Sequence, residues 1–262
     1  MEHSSQRRPL AVRRLSLIKR IASTLADKNI TPNQVSLLSM GFALLGGVFA
    51  LGYHVWPSAA WLLLFALAIQ GRLLCNLFDG MIAVEGGKQT PGGELFNDLP
   101  DRISDPLFIV AASLFTASAL GIALAVIVSF LAIMTAYIRV LGTSMGCAAD
   151  FRGPMAKQHR MALLTVTAVI MSIDRAFALL PTFGVYLMDF ALVLMLLGSL
   201  VTCWRRLRAI YLSCAAASHP ALNRDKDPPQ SIKATQQTIN DTQQTAHGTQ
   251  QLNDNTAEVS NG

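Results

Sequence analysis

Long apolar segments constrain the fold of this chain more than any other feature of its sequence. Six of them can be distinguished, at about 34–53, 59–78, 104–118, 121–142, 161–180 and 184–204. A helix needs about 20 apolar residues to cross the roughly 30 Å hydrocarbon core of a bilayer, and most of the segments come close to that length. The sequence therefore predicts an all-α integral membrane protein, a bundle of six transmembrane helices.

The third and fourth apolar segments are the least clearly separated. The apolar run over 106–141 is too long for one span of the hydrocarbon core, which argues against a single helix there. We expect a tight hairpin at 117–121, which gives two helices instead of one.

The composition identifies lipid as the solvent of this bundle. The chain of 262 residues is 52% hydrophobic and 14% charged, whereas roughly a quarter of the residues of a soluble domain carry charge. The net charge is +5, and the basic residues lie between the apolar segments. We therefore interpret them as residues that set the orientation in the membrane, and we expect no nucleic-acid partner. The four cysteines show no CxxC spacing, which argues against a disulfide framework or a zinc site.

Lys and Arg residues are distributed unequally between the two sides of the predicted bundle. The N-terminal segment through Asn33 holds 7, the 72–105 connection 3, the 139–160 connection 4 and the chain from Arg205 onward 6, whereas the opposite side holds Arg175 alone. Cytoplasmic loops of membrane proteins carry the excess of positive charge. Both termini and the two polar connections are therefore predicted to be cytoplasmic.

The two ends of the chain differ from the membrane domain predicted at 34–212. Residues 1–33 interleave apolar and basic side chains and lack the features of a signal peptide. They predict a basic amphipathic juxtamembrane helix, with a merely solvated leader as the alternative. Residues 213–262 are rich in Gln, Thr and Asn and have no apolar seam, so we predict a disordered tail.

Oxygen-bearing side chains cluster where the second apolar segment leads into the third. Asn76 and Asp79 are three residues apart and share a helix face. Asn97, Asp101 and Asp105 repeat every four residues and share another. Two antiparallel helices joined by the sequence GGKQTPGG would bring these faces together. Ionisable residues at the end of a membrane span by default mark a functional site, although a solvated helix face is the alternative.

Such a pocket suits a hard divalent cation. Carboxylate and amide oxygens are ligands of Mg²⁺ and Mn²⁺, which keep further positions for water and phosphate oxygens. Gly80, directly after Asp79, permits close approach of a nucleotide or of a neighbouring helix. The sequence therefore predicts a magnesium or manganese site that acts on a phosphoanhydride.

The same residues resemble the signature of the CDP-alcohol phosphotransferase family. That signature is D-x2-D-G-x2-A-R, then about eight residues, then G-x3-D-x3-D; the matching string is Asn76-LF-Asp79-Gly80-MI-Ala83-Val84, followed by Gly93-ELF-Asn97-DLP-Asp101. The fragment ITPNQVSLLS at 30–39 is similar to the family's entry into its first span, and the resemblance covers about residues 10–212. It implies six membrane helices and transfer of a phosphoalcohol group from a CDP-alcohol.

The chain departs from the signature at three positions. Asn76 and Asn97 stand where the family has aspartate, and Val84 stands where it has arginine. A bacterial branch of the family shares the asparagine pattern, and we interpret this chain as similar to that branch, in a bacterial inner membrane. The amides keep oxygen ligands but remove two negative charges. Either the site holds one metal ion, or charge comes from neighbouring acidic residues, namely Asp98, Asp105 and Glu94.

The resemblance also implies a role for each residue of the matched motif. The metal positions fall to Asn76, Asp79, Asn97 and Asp101. Asp101 is in addition the base that accepts the proton of the acceptor hydroxyl. Gly80 and Ala83 would line the cytidine pocket. The implied partners are a CDP-linked lipid donor, a hydroxyl acceptor and membrane lipid, and a homodimer is compatible with the family.

Basic residues near the predicted site have two interpretations each. Lys157 and Arg160 either clasp a phosphate of the donor or acceptor, or simply supply cytoplasmic positive charge. Arg72, one turn before Asn76, either reaches the diphosphate or, as we expect, extends its guanidinium to the membrane surface. His159 is interpreted as a surface residue.

The sequence supports three functional hypotheses. The first is an active phosphotransferase of phospholipid synthesis that releases CMP. The second is a catalytically impaired relative that binds CDP-lipid or serves as a membrane scaffold, because of the two asparagines and Val84. The third is a small transporter, which is disfavoured because the charges cluster on one side and no internal repeat is visible.

Overall fold

Six long helices make up most of the described structure, a computed structural model. It describes residue 24 and residues 31–85, 92–180 and 182–218. The helices are α1 (Pro32–Val55), α2 (Ala59–Glu85), α3 (Gly93–Ala112), α4 (Gly121–Ser144), α5 (Lys157–Phe177) and α6 (Leu187–Ser218). Nearly all of the predicted amphipathic segment, residues 86–91 of the glycine-rich loop and most of the predicted tail lie outside the described residues.

Backbone contacts divide the chain into two units. The first, Met1–Ile210, contains α1 to α5 and most of α6. Of the second, Tyr211–Gly262, the described residues are the helical stretch 211–218. All residues of the predicted site belong to the first unit.

Each of the six predicted apolar segments coincides with a helix. The predicted break between the third and fourth segments is confirmed, because α3 is followed by a short 3-10 helix, Ser113–Phe115, and α4 begins at Gly121. The extent of α3 differs from the prediction, since it begins at Gly93, in a polar stretch that an apolar criterion does not detect. It continues through Pro100 and Pro106, each of which lacks one backbone donor but has a φ that a helix accepts.

One boundary of the predicted tail is wrong. Residues 213–218 do not belong to a disordered segment but form the end of α6. Their sequence is Ser-Cys-Ala-Ala-Ala-Ser, and alanine has the highest intrinsic helix propensity of all residues. The helix therefore continues beyond the last large apolar residue.

Local sequence signals fix the start of α1. The Thr31 hydroxyl accepts a hydrogen bond from the Gln34 N–H at 3.3 Å, and the Gln34 side-chain oxygen accepts one from the Thr31 N–H at 3.0 Å. Pro32 occupies the first helical position, where no N–H is needed. This capping box sets the register of Ser36, which lies one turn further along and faces the site.

The outer surface of the bundle is apolar. Among the residues that the structure describes, four stretches are long and apolar enough to cross a membrane: Pro32–Val55, Ala59–Ile82, Gly121–Ser144 and Gly184–Ala216. Large side chains on α1, such as Leu37, Leu44 and Leu51, are more than half exposed. An apolar surface of this extent is unstable in water and stable in lipid. The chain is therefore an all-helical integral membrane protein, in which α3 and α5 carry most of the charged residues of the site.

Aromatic side chains fill the centre of the bundle. The ring of Phe65 on α2 packs edge-to-face against Phe108 of α3, with centroids 5.7 Å apart, and against Phe115 at 4.9 Å. Helix α1 packs against both α2 and α3, α2 packs against α5, and α3 packs against α4. Gly46 permits the close approach of α1 to α3, because a Cβ there would lie 2.3 Å from the Phe108 ring. These contacts fix α2 and α3, which carry the predicted metal ligands.

Candidate active site

Asp79 is a buried carboxylate held by a hydroxyl of a neighbouring helix. The residue is 3% exposed, and its Oδ2 accepts a 2.7 Å hydrogen bond from the Ser36 hydroxyl of α1. Its Oδ1 is buried and has no hydrogen-bond partner among the described residues. A buried charged oxygen is costly unless it is paired, so this atom is suited to accept a cation or a ligand donor.

Asp101 is the centre of a group of side chains that we call the polar cluster, namely Arg72, Asn76, Asp101, Asp105, Lys157 and Arg160. Asp101 Oδ1 accepts hydrogen bonds from Arg72 Nη2 and from Asn76 Nδ2, each at 2.6 Å. Its Oδ2 accepts a hydrogen bond from Nζ of Lys157, the first residue of α5. Side chains of three helices therefore meet at one carboxylate.

Arg72 and Asp105 form the buried base of the polar cluster. Arg72 is 0% exposed, and its Nη2 lies 2.7 Å from Asp105 Oδ1 and 2.6 Å from Asp101 Oδ1. Asp105 Oδ2 lies 3.6 Å from Arg160 Nη2. Opposite charges thus offset the cost of removing each group from water. The expectation that Arg72 extends to the membrane surface is wrong, because two carboxylates of α3 hold its guanidinium inside the bundle.

Arg160 and Arg206 form hydrogen bonds to α4 and to the connection between α4 and α5. Arg160 is 2% exposed; its Nη1 donates to the Met155 backbone oxygen at 2.8 Å and to Thr135 Oγ1 at 3.4 Å. Arg206 donates from Nη1 to the Thr135 backbone oxygen at 2.6 Å and from Nε to the Arg152 oxygen at 3.0 Å. Arg160 is therefore more than a topological charge, since its guanidinium contacts Asp105, Thr135 and Met155 inside the bundle.

Asp98 forms its ion pairs with residues that do not belong to the polar cluster. Its Oδ1 lies 2.6 Å from Arg102 Nη2 and 3.2 Å from Arg139 Nη2, and its side chain is 42% exposed. The structure thus pairs Asp98 with arginines of α3 and α4, whereas Asp105 belongs to the polar cluster.

The remaining predicted residues lie on the same helices. Asn97, Glu94 and Ala83 are on described helical backbone, but their side chains lie outside the described residues. Gly80 follows Asp79 in α2 and is half-buried. His159 is exposed, as expected from the sequence.

The connection between α4 and α5 lines an open hollow of about 440 Å³, formed by Ala148, Ala149, Asp150, Phe151 and Arg152. Partial burial raises the pKa of Asp150, but hydrogen bonds from the Arg152 side chain, at 3.0 and 3.1 Å, and from its backbone bring the pKa of this carboxyl below its ordinary value. The Arg139 guanidinium lies 5.3 Å from the centroid of the Phe151 ring. The hollow therefore combines an ionised carboxylate, an aromatic ring and one arginine, with a second arginine packed against that ring.

Sequence reasoning missed Ser36, Thr135 and Arg206 as members of this region. Ser36 and Thr135 are short polar residues inside apolar spans, where they serve as interhelical hydrogen-bond partners, and that position is the signal that identifies them. Arg206 is one of several basic residues after the last span, which topology explains equally well.

The residues present fit a divalent cation that arrives with a ligand of its own. Within the described ranges, no group of three or more His, Cys, Asp or Glu side chains is arranged to hold a metal. The suitable oxygens are Asp79 Oδ1, the Asp101 carboxylate and the amide oxygen of Asn76. Mg²⁺ is commonly held by one or two carboxylates together with substrate phosphates. The donor set therefore suits a cation bound jointly with a diphosphate.

If Asp79 holds the cation, Ser36→Ala is expected to weaken Mn²⁺ binding by about 10–100-fold, because removal of the hydrogen-bond partner of a metal ligand typically has an effect of this size. Ser39→Ala is the matched control: Ser39 is also buried on α1, but its hydroxyl donates to the Ser36 backbone oxygen at 2.6 Å. Binding is measured on the purified full-length protein by the EPR signal of free Mn²⁺. Equal losses in both variants would mean that Ser36 acts through α1 and not through Asp79.

Solved structures with this fold include a lipid-synthesising enzyme. Phosphatidylinositol phosphate synthase PgsA1 of Mycobacterium tuberculosis with CDP-DAG bound matches with a TM-score of 0.62 and 21% identity, over 75% of this chain and 94% of that chain. The same synthase in complex with manganese and citrate matches with a TM-score of 0.61 and 21% identity, over 74% and 88% of the two chains. At this level of identity the likeness shows the fold.

In sequence, the chain is similar to an inner membrane protein. Inner membrane protein YnbA of Escherichia coli (strain K12) is 24% identical over 158 residues, which are 60% of this chain and 76% of that protein. No family model matches the chain. The apolar helices and this similarity together support an integral inner membrane protein, and the structural likeness gives it the fold of phosphatidylinositol phosphate synthase PgsA1.

Proposed function

We propose that this chain is a CDP-alcohol phosphotransferase that moves a phosphoalcohol group from a CDP-linked lipid to a hydroxyl acceptor and releases CMP. The observation that carries the proposal is the buried Asp79 carboxylate of α2, whose Oδ1 has no hydrogen-bond partner among the described residues, together with the Asp101 carboxylate of α3, on which cations from α2 and α5 converge. The fold shared with a synthase that binds CDP-DAG supports it. Because one fold serves many functions, the chemistry must come from the residues of the site.

The cofactor of the proposed reaction is Mg²⁺ or Mn²⁺, held by Asn76, Asp79 and Asp101, with Asn97 as a further ligand. When bound, the cation would polarise the donor diphosphate and stabilise negative charge on the departing CMP. The manganese complex of a synthase with the same fold supports a divalent cation. Asp105 adds negative charge close to the site and pairs with Arg72. Gly80 and Ala83 are the residues that we assign to the cytidine pocket.

The proposed reaction forms one phosphate ester bond and breaks one phosphoanhydride bond. The acceptor oxygen attacks the phosphorus that carries the donor's alcohol, and the bond from this phosphorus to CMP breaks. Asp101 accepts the proton of the attacking hydroxyl, and Arg72 and Asn76 hold its carboxylate in one orientation. Lys157 contacts the phosphoryl oxygens, while the more deeply buried Arg160 supports Asp105.

We place the site at the cytoplasmic side of a bacterial inner membrane, with six helices crossing the bilayer and both termini in the cytoplasm. This proposal is supported by Lys157 and Arg160, which lie in the first turn of α5 next to the 139–160 connection, because the positive-inside rule assigns such basic connections to the cytoplasm. A homodimer through the exposed faces of the membrane helices is part of this proposal.

A catalytically impaired relative is the second candidate function, because Asn76 and Asn97 remove two signature charges. The contact of Asn76 favours the active enzyme: its amide nitrogen donates to Asp101, and an aspartate at position 76 would repel that carboxylate instead. The asparagine is thus a working member of the site, in keeping with an asparagine-containing branch of the family.

Release of CMP is the measurement that tests the proposal. Purified full-length protein, supplied with Mg²⁺ or Mn²⁺, CDP-diacylglycerol and a panel of hydroxyl acceptors, is expected to release CMP in a reaction that needs both cation and acceptor. Asn76→Asp is expected to slow this reaction. Faster release by Asn76→Asp would support the impaired relative, and absence of CMP with every acceptor would contradict the enzyme.

A further inference from the structure

The charged side chains around Asp101 balance one another. Among the described residues, Asp101 and Asp105 pair with three cations, those of Arg72, Lys157 and Arg160, and Asp79, three residues after Asn76 on α2, adds a third carboxylate. A divalent cation at Asp79 and Asp101 would add two positive charges beside three, and like charges in a buried site disfavour one another. Binding of this cation is therefore opposed unless a protein cation moves away.

Of these three cations, Lys157 is the one that can move. Arg72 is enclosed between Asp101 and Asp105, with a side chain that is 0% exposed. The side chain of Arg160 is 2% exposed and held from several directions. Lys157 has a side chain that is 27% exposed, stands at the first position of α5 and reaches Asp101 through a flexible stem of four carbons.

Lys157 contacts Asp101, which is also a metal ligand in the proposed function. An ionised carboxylate can accept about four hydrogen bonds. Arg72, Asn76 and Lys157 already occupy three of these positions on Asp101. The position that remains is on Oδ2, the oxygen that Lys157 contacts. A metal ion bound there would share one oxygen with an ammonium group.

We propose that Lys157 is an exchangeable counter-ion, which competes with the divalent cation for Asp101 and transfers to the phosphate oxygens of the CDP-lipid when metal and lipid bind together. This inference rests on the proposed function, since it presupposes a metal at Asp79 and Asp101. It gives Lys157 a positioning role in addition to charge stabilisation. The exchange couples the two ligands, because the diphosphate draws the ammonium away from the carboxylate that the metal requires.

The test is the affinity of purified full-length protein for Mn²⁺ alone, measured by the EPR signal of free Mn²⁺. Lys157→Gln is expected to bind Mn²⁺ about tenfold more tightly than the wild type, because a like charge next to the metal is removed. The same variant is expected to release CMP more slowly. Lys157→Arg keeps the charge and is expected to bind Mn²⁺ as the wild type does. Arg208→Gln, which removes an exposed charge from α6, is the matched control.

Tighter Mn²⁺ binding confined to the Lys157→Gln variant would establish the competition. Lys157→Met removes the same charge without adding an amide, and it replaces Lys157→Gln if that variant does not fold. Unchanged or weaker Mn²⁺ binding, in a protein whose wild type binds Mn²⁺ and releases CMP, overturns the counter-ion role and leaves the proposed function intact. A wild type that neither binds Mn²⁺ nor releases CMP overturns the proposed function and this inference with it.

Discussion

Replacement of Asp79 by asparagine is expected to lower the rate of CMP release by about 10²–10³-fold, the usual effect of removing one strong electrostatic contact from a transition state. Asparagine preserves the shape of the side chain, so the loss reports the missing charge and not a cavity. The rate is measured with saturating CDP-diacylglycerol and acceptor in proteoliposomes, and Mn²⁺ binding is measured on the same preparation. Both quantities are expected to fall together, since Asp79 is proposed as a metal ligand.

Asp174→Asn is the matched control for this variant. Asp174 lies near the end of α5 opposite to Lys157, about 25 Å along the helix, and its Oδ1 accepts a 2.5 Å hydrogen bond from the Leu180 N–H. The same change of charge at that end of the bundle is expected to leave Mn²⁺ binding unaltered. An Asp79→Asn protein that binds Mn²⁺ and releases CMP at the wild-type rate would remove the basis of the proposed metal site.

Replacement of Arg72 by methionine is expected to lower the free energy of unfolding by about 3–5 kcal/mol, the typical effect of removing one partner of a buried ion pair. Methionine has a similar length but no charge, and Asp101 and Asp105 would lose the cation that contacts both of them. Denaturation of the detergent-solubilised protein, followed by circular dichroism, measures the change.

Two further variants test whether the expected loss of stability comes from breaking a buried ion pair or from removing any arginine. Arg102→Met breaks a half-exposed pair with Asp98, whose side chains are 23% and 42% exposed, and is expected to change stability by less than about 1 kcal/mol. The double variant Arg72→Met with Asp105→Asn is expected to recover part of the lost stability, because one of the stranded carboxylates is then neutral. Equal effects of Arg72→Met and Arg102→Met would contradict the buried pairing.

The sequence predicted the helices of this protein well because the relevant signals are local. Apolar length and the Pro and capping residues act within one segment, so the start of α1 and the break before α4 could be located without knowledge of neighbouring helices. The prediction failed where the apolar criterion did not apply. The polar start of α3 is not marked by apolar residues, and the alanine-rich end of α6 is helical because of its intrinsic propensity.

The candidate site was predicted in outline for the same reason. Helical spacing alone places Asn76 and Asp79 on one face of α2, and a comparable spacing aligns Asp101 with Asp105 on α3. The direction of Arg72 could not be derived in this way. A guanidinium near a membrane surface extends outward unless an acidic partner lies deeper, and the partner here comes from another helix.

The sequence by itself determined that the chain is helical, that lipid surrounds it and that oxygen-bearing side chains gather at one end of two helices, because hydropathy and helical period depend on residues close together in the chain. The tertiary structure decided which partner each charge finds. Ser36 meets Asp79 across 43 positions, Arg72 meets Asp101 across 29, and Lys157 meets Asp101 across 56. Contacts over such separations depend on how whole helices pack and in which register, and no local pattern encodes that packing.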